Sequence, residues 1–137
     1  MPSANECELT SVFVRYADTA RHGGISETSI RHDEAIDLCL ELEAGQTVFN
    51  AGAAYRLFVV LNDLSDSSAT VYKNWQAGSL GDPKWQTMAT TFCWTVPAGS
   101  IPLNDDHIYQ ATAVMSVGKS DPIVDVDQSA IFIVTQP

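Results

Sequence analysis

The residues best placed to do chemistry are acidic side chains in two predicted turns. One turn spans residues 62–68 and the other spans residues 103–106. In a sandwich with the strand order predicted below, both turns lie at the same end, so their carboxylates could converge. Calcium takes six to eight oxygen ligands, which two neighbouring acidic loops can supply. The candidate metal ligands are Asp63, Asp66, Asp105 and Asp106.

The same acidic residues have an explanation that needs no ligand. Asp and Asn form turns readily because their side chains hydrogen-bond to nearby backbone, and in turns they stay solvated. The spacing of a calcium-binding EF-hand loop is absent. The histidines at 22, 32 and 107 also lack the short-range pairing of zinc ligands. Calcium is therefore a hypothesis, and no other metal or cofactor is expected.

Two tryptophans, Trp75 and Trp85, flank a predicted loop over residues 76–84. Exposed loop tryptophans stack on sugars or bury themselves in a protein partner. The alternative is that they pin the loop onto the fold, since large aromatic side chains are mostly buried. Both tryptophans are candidate ligand or interface residues.

Catalytic motifs are missing from the sequence. A nucleophile elbow of the form G-x-S-x-G does not occur. Gly23-Gly24 lacks the lysine and the following helix of a phosphate-binding loop. Paired carboxylates occur throughout an acidic chain and identify no active site. We therefore expect that the protein is not an enzyme.

Alternation of apolar and polar residues predicts the elements that position these side chains. Ile36, Leu38, Leu40 and Leu42 share one face of a strand, and polar residues share the other. About seven such strands joined by turns predict an all-β fold, an immunoglobulin-like antiparallel β-sandwich.

A single domain over residues 1–137 is expected from this length. Within it, residues 8–17 form an extra N-terminal strand and residues 18–33 form a long loop. The immunoglobulin-like core then spans residues 34–135.

A second pattern supports the sandwich. Asp105, Tyr109 and Ala111 have the spacing of a tyrosine corner, with Ala111 at the position of the cysteine that bridges the sheets in antibody domains. Cys39 and Cys93 alternate with predicted core residues, so both are expected to point away from the core. The sandwich is therefore expected to depend on apolar packing without a disulfide.

Several segments resemble bacterial immunoglobulin-like domains of the CARDB type. The run Gly52-Ala53-Ala54-Tyr55, the later Asn62, and the segment Phe92-Cys93-Trp94-Thr95-Val96-Pro97 are similar to segments of that family. The strand that contains Tyr109 fits the family's penultimate strand. The resemblance covers residues 34–135 and implies a binding or spacer module with no catalytic residues.

Charge and cysteine content limit the kinds of partner and the cellular location to be expected. The chain of 137 residues has a formal net charge of −10. Binding to nucleic acids or to anionic membranes requires a cluster of basic residues, and the sequence has none, so neither is expected as a partner. The sequence shows no signal peptide or membrane-spanning segment. Three cysteines without a framework spacing suggest a reduced, cytoplasmic protein.

These observations favour a non-catalytic interaction or assembly module that binds a protein partner or a second copy of itself. The alternative is a β-sandwich that binds calcium or carbohydrate through the acidic loops at one end. The acidic loops or a loop tryptophan would carry that second function.

Overall fold

The structure is a computed structural model that describes residues 2–102 and 106–136. Over those residues the chain forms nine strands and two short helices. In chain order they are β1 (Cys7–Tyr16), α1 (Thr19–His22), β2 (Ser29–Arg31), β3 (Ile36–Ala44), α2 (Gln46–Asn50), β4 (Ala54–Asp63), β5 (Ala69–Ser79), β6 (Ala89–Val96), β7 (Ile108–Val117), β8 (Ile123–Gln128) and β9 (Phe132–Thr135).

The strands form two packed sheets, which confirms the predicted all-β, immunoglobulin-like sandwich. The smaller sheet has the order β1-β3-β6. The larger sheet has the order β2-β9-β7-β4-β5, and β8 pairs with another part of β7. Pairing is antiparallel except between β2 and β9. The segment predicted as a long loop thus contributes a short helix and a parallel edge strand.

The core follows the period-two alternation of the facing strands. In β3, the side chains of Ile36, Leu38, Leu40 and Leu42 are all buried in the core cluster. In β7 the buried positions include Ala111 and Ala113, which continue the alternation of buried and partly exposed residues along that strand. Burial of these side chains from both sheets holds the sandwich together.

The tyrosine corner is present. Tyr109 is fully buried, and its hydroxyl donates a hydrogen bond of 2.9 Å to the carbonyl oxygen of Pro102. A buried phenol needs such a partner, because an unsatisfied polar group in the core is costly. Asp105 of the same pattern lies outside the described residues.

A disulfide joins Cys39 to Cys93, which corrects the expectation of a fold without a bridge. The two cysteines face each other across β3 and β6, on the side of the smaller sheet that points away from the core. Their orientation was predicted, but the sequence does not show which residues of two strands 54 positions apart lie opposite each other. Cys7 is a free thiol buried in the core.

No helix within residues 2–102 and 106–136 is both long and apolar enough to cross a membrane.

Candidate functional site

The candidate site is the face of the larger sheet that points away from the core. Register fixes its residues, because Leu57, Val59 and Leu61 of β4 are buried and their neighbours must face outward. We call this surface the outer face. Its residues form four rows, and the members of each row lie opposite one another on β5, β4, β7 and, in the first three rows, β8. The rows are Trp75, Phe58, Val114 and Val126; Ala77, Arg56, Ser116 and Val124; Lys73, Val60, Thr112 and Gln128; and Thr70, Asn62 and Gln110.

An apolar row crosses the outer face. Trp75 of β5 lies opposite Phe58 of β4, and the row continues through Val114 to Val126. The exposed fraction is 61% for Trp75, 42% for Phe58 and 56% for Val126. Contiguous exposed apolar surface of this kind marks interaction sites and ligand grooves.

Lys73 and Arg56 flank the apolar row. Arg56 precedes Phe58 by two residues on β4, and Lys73 precedes Trp75 by two residues on β5, so both share the face. Neither has an ion-pair partner in the described part of the chain, whereas Arg15, Arg21 and Arg31 all have one. The outer face therefore presents two unpaired cations.

Acidic side chains are absent from every position of the outer face defined above, although the chain has 17 acidic residues. Asp125 and Asp127 of β8 are in register with Met115 and Ala113, on the opposite side of that strand. The acidic charge of the protein is thus kept away from this surface. Although the chain as a whole is acidic, this surface therefore suits an apolar or anionic ligand.

Trp75 is held by its own neighbours on the edge strand. Its backbone N–H donates to Oδ1 of Asn74 at 2.9 Å, and Nδ2 of Asn74 donates to the Tyr72 hydroxyl at 3.0 Å. A shallow depression beside the ring is lined by Phe58, Val60, Lys73 and Trp75 among others. The indole ring is therefore carried by a paired strand and is exposed to solvent.

Trp85, the other candidate tryptophan, is completely buried. Its ring contacts those of Tyr55 and Phe92 edge-on, and Nε1 donates to the carbonyl oxygen of Met88 at 3.3 Å. Trp85 thus pins the loop onto the sandwich, which is the alternative that the sequence left open. Its side chain is not accessible to a ligand in this structure.

Asp82 organises the loop that Trp85 pins. Its carboxylate accepts hydrogen bonds from the backbone N–H groups of Ser79, Lys84 and Trp85 and from the hydroxyl of Tyr55. Gly78 is required beside it, because a Cβ there would collide with the Asp82 carboxylate and the Tyr55 hydroxyl.

These contacts shift both pKa values. Burial alone would raise the pKa of Asp82, but hydrogen bonds from Trp85, Tyr55, Ser79 and Lys84 together hold it below its usual value. Burial, with the Asp82 carboxylate beside it, raises the pKa of Tyr55 well above that of free tyrosine. The phenol therefore stays protonated and remains a donor to Asp82.

The structure describes three of the four residues proposed as calcium ligands. Asp63 is only 3% exposed, and Oδ2 lies 2.6 Å from Nδ1 of His107. Its other oxygen, Oδ1, accepts the N–H of Ser65 at 3.0 Å. Asp66 and Asp106 are exposed, and Asp105 lies outside the described residues.

Metal ligation by Asp63, Asp66, Asp105 and Asp106 stays a prediction. Over residues 2–102 and 106–136, one group of three potential ligands lies close together, namely Asp37, Cys39 and Cys93. The two cysteines of that group are joined to each other, so they offer no thiolate to a metal. Among the described residues, neither the acidic turns nor the group around Asp37 therefore provides a set of free metal ligands.

Phe58, Arg56 and Lys73 were not singled out from the sequence. The segment around Phe58 is almost continuously apolar, so its period does not show which side chains face the core. The one signal was Arg56, whose charge interrupts this apolar run and indicates the outward register. Phe58 falls two residues later, on the same face.

Comparison with known proteins supports the fold class. No family model matches the chain, and no curated protein matches it. Among solved structures, the C-terminal domain of wzt is similar, with a TM-score of 0.60 and 12% identity over 99% of this chain and 76% of that one. The resemblance to CARDB-type domains therefore does not show that the chain belongs to that family.

A second similar structure is a member of glycosyl hydrolase family 2 from Bacteroides cellulosilyticus. Its TM-score is 0.50, with 18% identity over 90% of this chain. The match spans only 14% of that hydrolase. Together the two structures support the immunoglobulin-like β-sandwich fold of this chain.

Proposed function

We propose that the chain is a non-catalytic binding module that holds a saccharide chain on the outer face of its larger sheet. The observation that carries the proposal is the exposed pair of Trp75 and Phe58 on a surface without acidic residues. A flat aromatic ring with one open face can stack against the apolar face of a sugar ring.

Polar groups around the aromatic pair support a saccharide ligand. Asn62, Thr112, Gln110 and Gln128 lie on the outer face one or two rows from Phe58. Their amides and hydroxyls provide donors and acceptors for sugar hydroxyls, as a few placed polar groups do in ligand sites generally.

The cations on the outer face favour an acidic saccharide. Arg56 and Lys73 stand on either side of the apolar row and have no carboxylate partner among the residues described. A carboxylate on the sugar would provide that partner, and Arg can bind it through two parallel hydrogen bonds. Two cations on a chain of net charge −10 do not make a nucleic-acid surface.

Affinity electrophoresis in gels that contain polysaccharide tests the proposal. Polygalacturonate provides the acidic probe and dextran the neutral one. We expect polygalacturonate to retard the wild-type protein more than dextran, and Trp75→Ala to weaken that retention by about tenfold or more. Ile25→Ala is the matched control, because Ile25 is 62% exposed in another part of the chain. Equal retention of Trp75→Ala and wild type, or no retention by either polysaccharide, would contradict the proposal.

A protein partner is the second candidate, and the valines of β8 favour it. Val124 and Val126 are 58% and 56% exposed, which extends the apolar surface two strands beyond the aromatic pair. An interface core uses such area, whereas a stacked sugar ring does not need it. Val126→Ser, which adds no charge to the outer face, should therefore weaken a protein complex more than it weakens polygalacturonate retention.

The disulfide bears on location. The sequence suggested a reduced, cytoplasmic protein, but disulfides persist mainly in oxidising compartments. We propose such a compartment, on the basis of the Cys39–Cys93 bridge. Alkylation of free thiols directly in host cells, followed by reduction and a second label, would show whether these two cysteines are oxidised there.

A further inference from the structure

Most free strand edges of the sandwich are blocked by side chains or loops. On β5, the N–H of Trp75 is capped by Asn74 and the N–H of Ser79 by Asp82. On β8, the N–H groups of Val126 and Gln128 are capped by the preceding aspartates. Such caps remove backbone groups that would otherwise recruit another strand.

The edges of β1 and β2 are covered as well. The N–H of Leu9 donates to Oδ2 of Asp125 at 2.9 Å, and the carbonyl of Val14 accepts from the N–H of Glu27 at 2.8 Å. On β2, the N–H of Arg31 donates to the Tyr16 hydroxyl. These contacts tie both edges to neighbouring elements of the same chain.

The edge of β6 is different. The Cα atoms of Cys39 and Cys93 are 4.2 Å apart, the spacing of a pair that exchanges no backbone hydrogen bonds. The N–H and C=O groups of Thr91, Cys93 and Thr95 therefore point away from β3. They have no hydrogen-bond partner in the described part of the chain, where β6 pairs with β3 alone.

The strand itself has none of the features that discourage pairing. Residues Ala89–Val96 include no charge, no proline and no glycine, and they are rich in Thr, Phe, Trp and Val. Its outward side chains are small and polar, while Phe92 and the half-buried Trp94 stack on the side that faces the core. The open edge is thus both available and suited to a β-strand partner.

We propose that the β6 edge is a dimer interface at which a second copy of this chain pairs antiparallel, with the two-fold axis at Cys93. In that register Cys93 faces its own counterpart, and Thr91 faces Thr95 of the second copy. Every open N–H and C=O of these three residues then has a partner, and the smaller sheets join into one sheet of six strands.

The pattern of the strand favours a second copy as the occupant, because Thr91 and Thr95 stand symmetrically about Cys93. Two molecules of net charge −10 repel each other, so they can approach closely only where charge is absent. The β6 edge is such a place, and self-pairing opposes Thr to Thr rather than like charges. On the adjacent strand β3 the charged residues are Asp37, which is paired with Arg15, and Glu41 and Glu43, which lie in register with Thr91 and Ala89.

The interface is independent of the proposed saccharide surface. β6 belongs to the smaller sheet, whereas the outer face belongs to the far side of the larger one. A dimer through β6 would leave both outer faces free, so two molecules could grip one polymeric ligand with increased avidity.

Hydrogen exchange on the wild-type protein tests this edge directly, together with sedimentation equilibrium from micromolar to millimolar concentration. We expect a reversible dimer, and protection of the amides of Thr91, Cys93 and Thr95 that is lost on dilution. These N–H groups have no acceptor within residues 2–102 and 106–136, so protection reports the intermolecular pairing. A monomer at millimolar concentration, or a dimer in which these amides exchange freely, would overturn the proposal.

A backbone variant adds a second measurement. Thr91→Pro removes an N–H that the fold does not use and should weaken dimerisation by about tenfold or more. Thr91→Lys leaves the backbone intact and should also weaken it, which guards against misfolding of the proline variant. Ala77→Pro, on the partly capped β5 edge, should leave dimerisation unchanged; a loss equal to that of Thr91→Pro would contradict the assignment of the interface to β6.

Discussion

Oδ2 of Asp63 lies 2.6 Å from Nδ1 of His107, and this contact joins the end of β4 to the start of β7. The carboxylate is nearly inaccessible, and Oδ1 is bound to the N–H of Ser65. A residue that looked like a metal ligand is thus part of a structural clamp between two turns.

Removal of the imidazole should destabilise the fold. His107→Ala leaves the Asp63 carboxylate buried without one of its two partners, which costs about 1–3 kcal/mol. Urea denaturation provides the measurement, and Asp66→Asn, which changes an exposed carboxylate, is the matched control. A double-mutant cycle with Asp63→Asn should show coupling between the two residues. Strictly additive effects would mean that the contact contributes nothing to stability.

Calcium should leave the thermal midpoint unchanged. Both oxygens of Asp63 are engaged, and Asp66 and Asp106 are exposed side chains that do not form a compact ligand set with it. A ligand that binds only the folded state raises the midpoint in proportion to its occupancy. Differential scanning calorimetry with millimolar calcium, and with magnesium as a control, tests this. A calcium-specific increase would restore the metal hypothesis for the acidic turns.

Acid should weaken the loop that Asp82 organises. The pKa of Asp82 in the folded state lies below the ordinary value of 3.8. The carboxylate therefore stabilises the folded state above that value, and this stabilisation is lost as the pH falls through the folded pKa. The difference in unfolding free energy between wild type and Asp82→Asn should therefore shrink as the pH falls below the ordinary carboxyl pKa of 3.8. Chemical denaturation at a series of pH values measures it. A difference that is constant down to the lowest pH would show that the Asp82 charge does not matter.

Loss of the disulfide should destabilise the protein more than any single substitution above. The bridge closes a loop of 54 residues, for which chain entropy predicts about 4 kcal/mol. Guanidinium denaturation of Cys39→Ala/Cys93→Ala, compared with the wild type, measures this cost. A cost below about 1 kcal/mol would show that the unfolded chain gains little freedom without the bridge.

Thiol counting separates the bridge from the free cysteine. Burial raises the pKa of Cys7, so its thiol should not react with an alkylating agent in the native protein. The unfolded, unreduced protein should then show one reactive thiol and the reduced protein three. Three thiols before reduction would contradict the Cys39–Cys93 pairing.

Most of the fold was predictable because strand alternation is a local signal. The buried set of β3 and the corner at Tyr109 could be recognised from spacing alone. The short strand β2 could not, because its three residues lack a period and its pairing is parallel, with the distant strand β9. Long-range pairing of this kind has no local trace in the sequence.

The site was predictable only in part. Trp75 and Trp85 are equivalent in sequence as two tryptophans that flank one loop, yet one is 61% exposed and the other fully buried. The tertiary structure separates them, since Trp75 lies opposite the outward Phe58 on a strand while Trp85, in the following loop, packs against Tyr55 in the core. Side-chain type alone carries no information on which face of a sheet a residue occupies.

By itself, the sequence determined the sandwich, its acidic charge and the absence of recognisable catalytic motifs, because composition and alternation are properties of the chain. Tertiary structure alone decided which residues meet. It paired Cys39 with Cys93 and Asp63 with His107, and it brought Phe58, Trp75, Arg56 and Lys73 to one surface. The physical reason is register: a shift of one residue turns every side chain of a strand to the other face, and register is fixed by packing between distant strands.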